Sequence, residues 1–230
     1  MFVSHNDAQQ ILRNFPEIKL SYVNIDENGV VDLNHLEELL QNNPRTFVSI
    51  MHANNEIGTI QDIKAIGDIC KEHKAIFHSD TVQTMAHFPF NMQELQVDFM
   101  AASAHKFHGP KGVGFVYISD DIKIKPLLRG GGQERNMRAG TENIYGIAAL
   151  SMAMAMAYEN LEEETNYIKG LKKHMMEKLK SEIEDVQFYG KCTDLENSLY
   201  TVLSCHFPET DIAEMLLFNL DILGVACSGG

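Results

Sequence analysis

The sequence predicts an α/β fold with a mostly parallel sheet, followed by part of a smaller α+β unit. Three observations carry this expectation. Between Thr46 and Tyr117, short apolar runs alternate with polar loops and an amphipathic stretch, which is how βαβ units appear in a sequence. Polar residues gather just after the apolar runs. A long helical stretch from Asn143 to about Glu182 then separates this region from a shorter mixed one.

Each element has a local reason. Thr46 to His52 reads as a short strand, and Asp62 as the cap of a helix whose apolar residues Ile63, Ile66, Ile69 and Cys70 share one face. The chain returns through a strand from Ala75 to His78, completing one crossover. Val97 to Ala102 is a third strand, leading into Ser103-Ala104-His105-Lys106, and Gly112 to Tyr117 is a fourth beyond a glycine turn. Ile144 to Tyr158 is apolar enough to predict a buried helix, but shorter than the roughly 20 residues of a membrane crossing. Leu199 to His206 reads as a strand and Asp211 to Asn219 as a helix. A final strand is expected over Ile222 to Ala226, with the neighbouring Cys227 buried.

Bulk properties narrow the function. A chain of 230 residues can bury a sizeable core, and 44% hydrophobic with 22% charged residues leaves no compositional case for disorder. The net charge of −13 and the lack of a compact Lys/Arg cluster argue against nucleic acid and anionic membranes as partners. Met1 to His5 lack the basic and apolar regions of a signal peptide, so the cytoplasm is the expected compartment. Cys70, Cys192, Cys205 and Cys227 have no CxxC spacing, which argues against a zinc knuckle or a disulfide scaffold.

The chemistry concentrates at two strand ends. His78-Ser79-Asp80-Thr81-Val82-Gln83 supplies a carboxylate, and Ser103-Ala104-His105-Lys106 supplies a lysine. A lysine can hold an aldehyde cofactor as a Schiff base, and a carboxylate can keep a pyridine nitrogen protonated so that the ring withdraws electrons. Taken alone, the same two residues also suit a solvated ion pair, the commoner use of surface charge.

The order of the motifs goes further. Met51-His52-Ala53-Asn54-Asn55-Glu56-Ile57-Gly58 is followed by His78-x-Asp80-x-x-Gln83. Ser103-x-His105-Lys106 with Gly109-Pro110-Lys111-Gly112 comes next, and then Gly130-Gly131-Gly132-x-Glu134 with Arg138-x-Gly140-Thr141. In this order they resemble the NifS/IscS-type cysteine desulfurases of the class V aminotransferase family, and the triple glycine resembles that branch rather than the SufS-like one. The resemblance implies the PLP-transferase fold of the aspartate aminotransferase type I class. It assigns residues 1–150 to a partial large cofactor-binding domain, 151–182 to an interdomain helix and 183–230 to a partial small domain.

The resemblance also implies pyridoxal 5'-phosphate as cofactor, covalently held by Lys106, with Asp80 on the pyridine nitrogen and Gln83 on the phenolic oxygen. His5 aligns with the histidine that stacks on the ring. Ser103 and His105 would bind the phosphate, Asn55 would face the cofactor and the substrate carboxylate, and Thr141 would reach the phosphate of a neighbouring subunit. Implied partners are L-cysteine, a second copy of the chain, and an iron-sulfur scaffold or other sulfur acceptor.

Three things set the chain apart from a full member. The family's Gly/Thr phosphate loop, its mobile catalytic cysteine and its carboxylate-binding arginine are expected beyond the two ends of this sequence. Cys227 falls ahead of the family's Ser-Ala-Cys segment and is not assigned as the nucleophile. Two other readings stay open on the residues: a metallohydrolase built on His78-x-Asp80 and His105-x-x-His108, and a dimerising module without catalysis. Arg138 could bind an anion or pair across a subunit interface, and Asn54 and His78 suit roles in supporting loop and strand end.

Overall fold

A computed structural model of the chain describes Phe15, residues 17–208 and residues 215–229. His5 and Asp211, the expected helix start, lie outside the described residues. Asp32 opens helix α1 (Leu33–Asn42) by accepting hydrogen bonds from the amides of Asn34 and His35. Strand β1 (Phe47–Met51) follows, and Asp62 then caps helix α2 (Ile63–Glu72), its carboxylate accepting from the Ala65 amide at 2.9 Å. The predicted face of α2 is the buried one, through Ile63, Ile66 and Cys70. Gly67 shares that face, and a methyl group there would collide with the Gln96 carbonyl, so the helix can settle against the approach to β3 only without a side chain.

Strands β2 (Ile76–Asp80) and β3 (Phe99–Ser103) continue in parallel with β1, and β4 (Gly114–Ile118) turns back antiparallel to β3. The sheet order is β1-β2-β3-β4. Phe77, Met100 and Phe107 pack on Ile66, Leu36 and Leu40 to form the core. In β3, Met100, Ala101 and Ala102 are all buried, as its unbroken apolar sequence requires. Three parallel strands that end together bring the loops after Met51, Asp80 and Ser103 to one edge, where open α/β sheets hold their ligands.

Beyond β4, a two-stranded ribbon of β5 (Gly132–Gln133) and β6 (Arg138–Ala139) precedes the helical region. The expected continuous helix is two: α3 (Ile144–Glu159), capped by Asn143, and α4 (Leu161–Glu182). Asn160 divides them, with a non-helical backbone and its amide bonded back to the Met156 carbonyl. The expected burial of α3 also fails. Leu150, Ala153, Met154, Ala157 and Tyr158 pack on the core, but Tyr145 is 91%, Ile144 66% and Met152 64% exposed. An all-round apolar helix gives no periodic signal of which side faces the core.

The last segment departs most from expectation. The strand expected from Leu199 shrinks to β8 (Cys205–His206), paired with β7 (Gln187–Phe188); the buried Ser198 to Tyr200 segment instead bridges Thr59 and runs into a turn closed by the Val202 amide on the Leu199 carbonyl. Helix α5 (Leu216–Ile222) runs past Asn219, the expected end of the predicted helix. Residues 225–229 are irregular rather than a strand, and Cys227 is exposed, not buried.

Candidate active site

Beyond β1 the chain makes a tight loop that Asn54 ties down. Its Oδ1 accepts from the amides of Glu56 (2.8 Å) and Ile57 (3.0 Å), and its carbonyl accepts from Gly58. Asn55 sits exposed at the tip. His52, at the base, is buried and shares a hydrogen bond with Thr84 at 2.9 Å between Phe88 and Phe90. Burial pushes its pKa down to about 4 against the opposing charge of Asp62, so the ring is neutral at pH 7 and acts as a packing and hydrogen-bonding group.

Asp80 closes β2 between Met51 and Ala101, and the backbone carbonyl beneath it accepts from the His52 amide. Its carboxylate accepts from the Val82 amide at 2.9 Å, which bends the chain into the turn carrying half-buried Gln83. His78 lies two residues back along the strand, bonded to Ser49 at 2.9 Å and stacked on Phe47. Burial lowers its pKa, and the nearby Asp80 opposes that shift. It supports the strand end, as its position suggested.

Ser103 ends β3, with its hydroxyl 2.7 Å from His105 Nδ1. Lys106 follows in a 3-10 turn (Ala104–Phe107) whose buried Ala104 and Phe107 anchor it, leaving Lys106 half-buried and His105 exposed. His108 is left-handed at φ 63°, and Gly109 folds back to donate to the Ala104 carbonyl at 2.9 Å. A side chain at Gly109 would stand 2.8 Å from the Ala104 methyl, so the reversal needs glycine. Asp80 and Lys106 therefore occupy the carboxyl ends of adjacent parallel strands, with a hydroxyl and an imidazole on the lysine's own turn.

Thr141 is exposed just after Gly140, whose φ of 96° favours glycine. Arg138 makes no ion pair among the described residues; its guanidinium donates to the Ala139 (3.2 Å) and Gly140 (3.4 Å) carbonyls and stiffens that loop. The metallohydrolase alternative is not assembled, since among the described residues no three His, Cys, Asp or Glu groups converge as a metal ion requires. One contributor went unread in the sequence. His87 bonds the Lys106 carbonyl through one ring nitrogen and the Tyr200 hydroxyl through the other.

A carboxylate and a lysine stand at neighbouring strand ends, beside a hydroxyl and an imidazole that hydrogen-bond each other. The family model "Aminotransferase class-V" matches residues 4–230, and the chain belongs to that family. It is 40% identical over 212 residues to "Cysteine desulfurase IscS" of Dictyoglomus turgidum, covering 92% of this chain and 52% of the relative. A Clostridium botulinum relative of the same name is 39% identical, with 92% and 53% covered. The chain spans about half the length of these curated relatives. Among solved structures, the NifS-like protein from Rickettsia africae superposes with a TM-score of 0.86 at 35% identity, covering 99% of this chain and 62% of that one. The PLP-transferase fold expected from the motifs is thus the fold of the chain.

Proposed function

We propose that this chain forms part of a pyridoxal-phosphate-dependent cysteine desulfurase, which turns L-cysteine and a protein thiol into L-alanine and a protein persulfide. The placement of Asp80 and Lys106 at adjacent strand ends carries the reading. Bound there, pyridoxal phosphate would supply a ring that draws electrons from the substrate's α-carbon. Lys106 would hold the aldehyde carbon until substrate displaces it and then exchange a proton with the substrate. Asp80 would keep the pyridine nitrogen protonated by charge.

Around them, Gln83 would hydrogen-bond the phenolic oxygen, Ser103 and His105 the phosphate, and Asn55 the substrate carboxylate. His5 would stack on the ring and move protons, and Thr141 would reach the phosphate held by a partner protomer. The thiol that accepts sulfur is not assigned to Cys227, which falls ahead of the family's Ser-Ala-Cys segment. The persulfide would pass to an iron-sulfur scaffold or a thio-cofactor enzyme, in the cytoplasm. We also assign residues 1–150, 151–182 and 183–230 to the large domain, the interdomain helix and the small domain.

A second reading, a dimerising module without catalysis, draws support from the exposed apolar side of α3. One experiment separates the two. The chain is incubated with pyridoxal phosphate, scanned in the visible range, reduced with borohydride and mapped. A band that responds to L-cysteine and a label on Lys106 are expected. A colourless chain, or a label on Lys111, would sink the first reading.

A further inference from the structure

The backbone of Lys106 is held by a residue from outside its own turn. Carbonyls near the end of a helical turn have no partner within it. His87 Nε2 lies 3.0 Å from the Lys106 carbonyl oxygen, and His87 Nδ1 lies 2.8 Å from the Tyr200 hydroxyl. A carbonyl only accepts, so Nε2 must carry the proton; Nδ1 is then bare and accepts from Tyr200. One ring tautomer satisfies both contacts.

The neutral ring suits this use. Burial lowers the pKa of His87 and His108 adds to the effect, while the bond to Lys106 and Glu164 of α4 oppose it. The Tyr200 ring meets the His87 ring edge-on at 5.7 Å.

Tyr200 is itself immobilised. Ser198, Leu199 and Tyr200 are 1%, 0% and 3% exposed. The Leu199 amide donates to the Gly58 carbonyl at 2.8 Å, and Ser198 bridges Thr59, so the segment also closes the loop that bears Asn55. From α4, Lys172 Nζ donates to Ser198 Oγ and the Leu199 carbonyl, both at 3.0 Å.

We infer that His87, oriented by Tyr200, is a positioning residue that fixes the Lys106 turn, and that the Ser198–Tyr200 segment ties this turn to the Asn55 loop. Holding the carbonyl of Lys106 sets the direction in which its side chain leaves the turn. The clamp is a property of the chain itself; its bearing on cofactor attachment rests on the reading of Lys106 given above.

The test uses the chain without and with pyridoxal phosphate. Nitrogen-15 NMR of the histidines should show His87 protonated at Nε2. His87→Ala should speed exchange of the His108 and Gly109 amides, which both close the turn onto Ala104, by about tenfold, the effect of one lost hydrogen bond. It should also slow borohydride-trapped labelling of Lys106 to a similar degree. His87→Gln, whose amide nitrogen can still donate to the carbonyl, should restore both. Tyr200→Phe removes only a hydroxyl and should give a smaller change of the same kind, so it serves if His87→Ala does not fold. A ring protonated at Nδ1 overturns the inference. So do variants that lower the melting temperature while leaving turn exchange and labelling rate unchanged. If exchange responds while Lys106 is unlabelled even in the parent chain, the clamp stands and the cofactor assignment fails.

Discussion

Asp80 and His52 sit a few residues from each other's loops, yet their environments set them opposite tasks. Asp80 is half-buried, its carboxylate bonded to the Val82 amide, and in the proposed reading it would oppose the charge of a protonated pyridine nitrogen. In the proposed reading, Asp80→Ala in a protein with both family ends present should keep the cofactor, since its phosphate contacts and the link to Lys106 would remain. Turnover should fall on the order of 100-fold or more, as charge stabilisation at the ring is lost. Steady-state rates beside a cofactor absorption ratio would check this, and unchanged turnover would remove Asp80 from the chemistry. His52 must stay neutral. Its folded pKa of about 4 lies below the ordinary 6.5, so the unfolded chain takes up a proton first as pH falls. Stability from this residue is complete above about pH 6.5 and is lost as pH drops toward 4, by up to about 3 kcal/mol at 1.36 kcal/mol per pKa unit. Urea melts at pH 7.5 and 4.5 should show a smaller difference in His52→Leu than in the parent. Some dependence should persist, because burial also lowers the pKa of His78 and His87. Equal pH dependence in the two proteins would refute the assignment.

Helices and strands were readable in proportion to how local their causes are. Asp62 before the Ile63-Ile66-Cys70 face gives both the start and the buried side of α2, and the apolar runs after Phe47, Ile76 and Phe99 mark the strands that align Asp80 with Lys106. The break at Asn160 and the wet side of α3 leave no such mark. Nor does the contact between His87 and Tyr200, which are 113 residues apart and meet because the 198–200 segment is buried. Lys172 shows why that turn forms in place of the strand expected there. Its ammonium reaches acceptors on Ser198 and Leu199, and burial lowers its pKa. Lys172→Ala should destabilise the chain by about 2 kcal/mol, by removing two buried hydrogen bonds and leaving a space, while the Leu199 carbonyl keeps the Val202 amide as its donor. The loss should appear in urea midpoints and as faster exchange at the Leu199 amide. A change below about 0.5 kcal/mol would show that solvent replaces the ammonium without cost.

At the scale of the whole molecule, the apolar side of α3 and the ribbon carrying Thr141 lie next to each other in sequence, and both are exposed. A second copy seated there would cover Tyr145, Ile144 and Met152. Sedimentation should find a dimer, and Tyr145→Glu with Met152→Glu should give a folded monomer. A parent chain that sediments as a monomer at micromolar concentration would exclude that arrangement. The four thiols add a practical asymmetry. Cys70 and Cys192 are buried, burial pushes Cys70 to about 12, and burial also raises Cys205, whereas Cys227 stands open to solvent in an irregular tail. A maleimide at neutral pH should therefore couple once per native chain, at Cys227, and four times after unfolding. The chain carries a built-in attachment point for a dye or a surface, remote from the Lys106 turn in sequence and available without mutation.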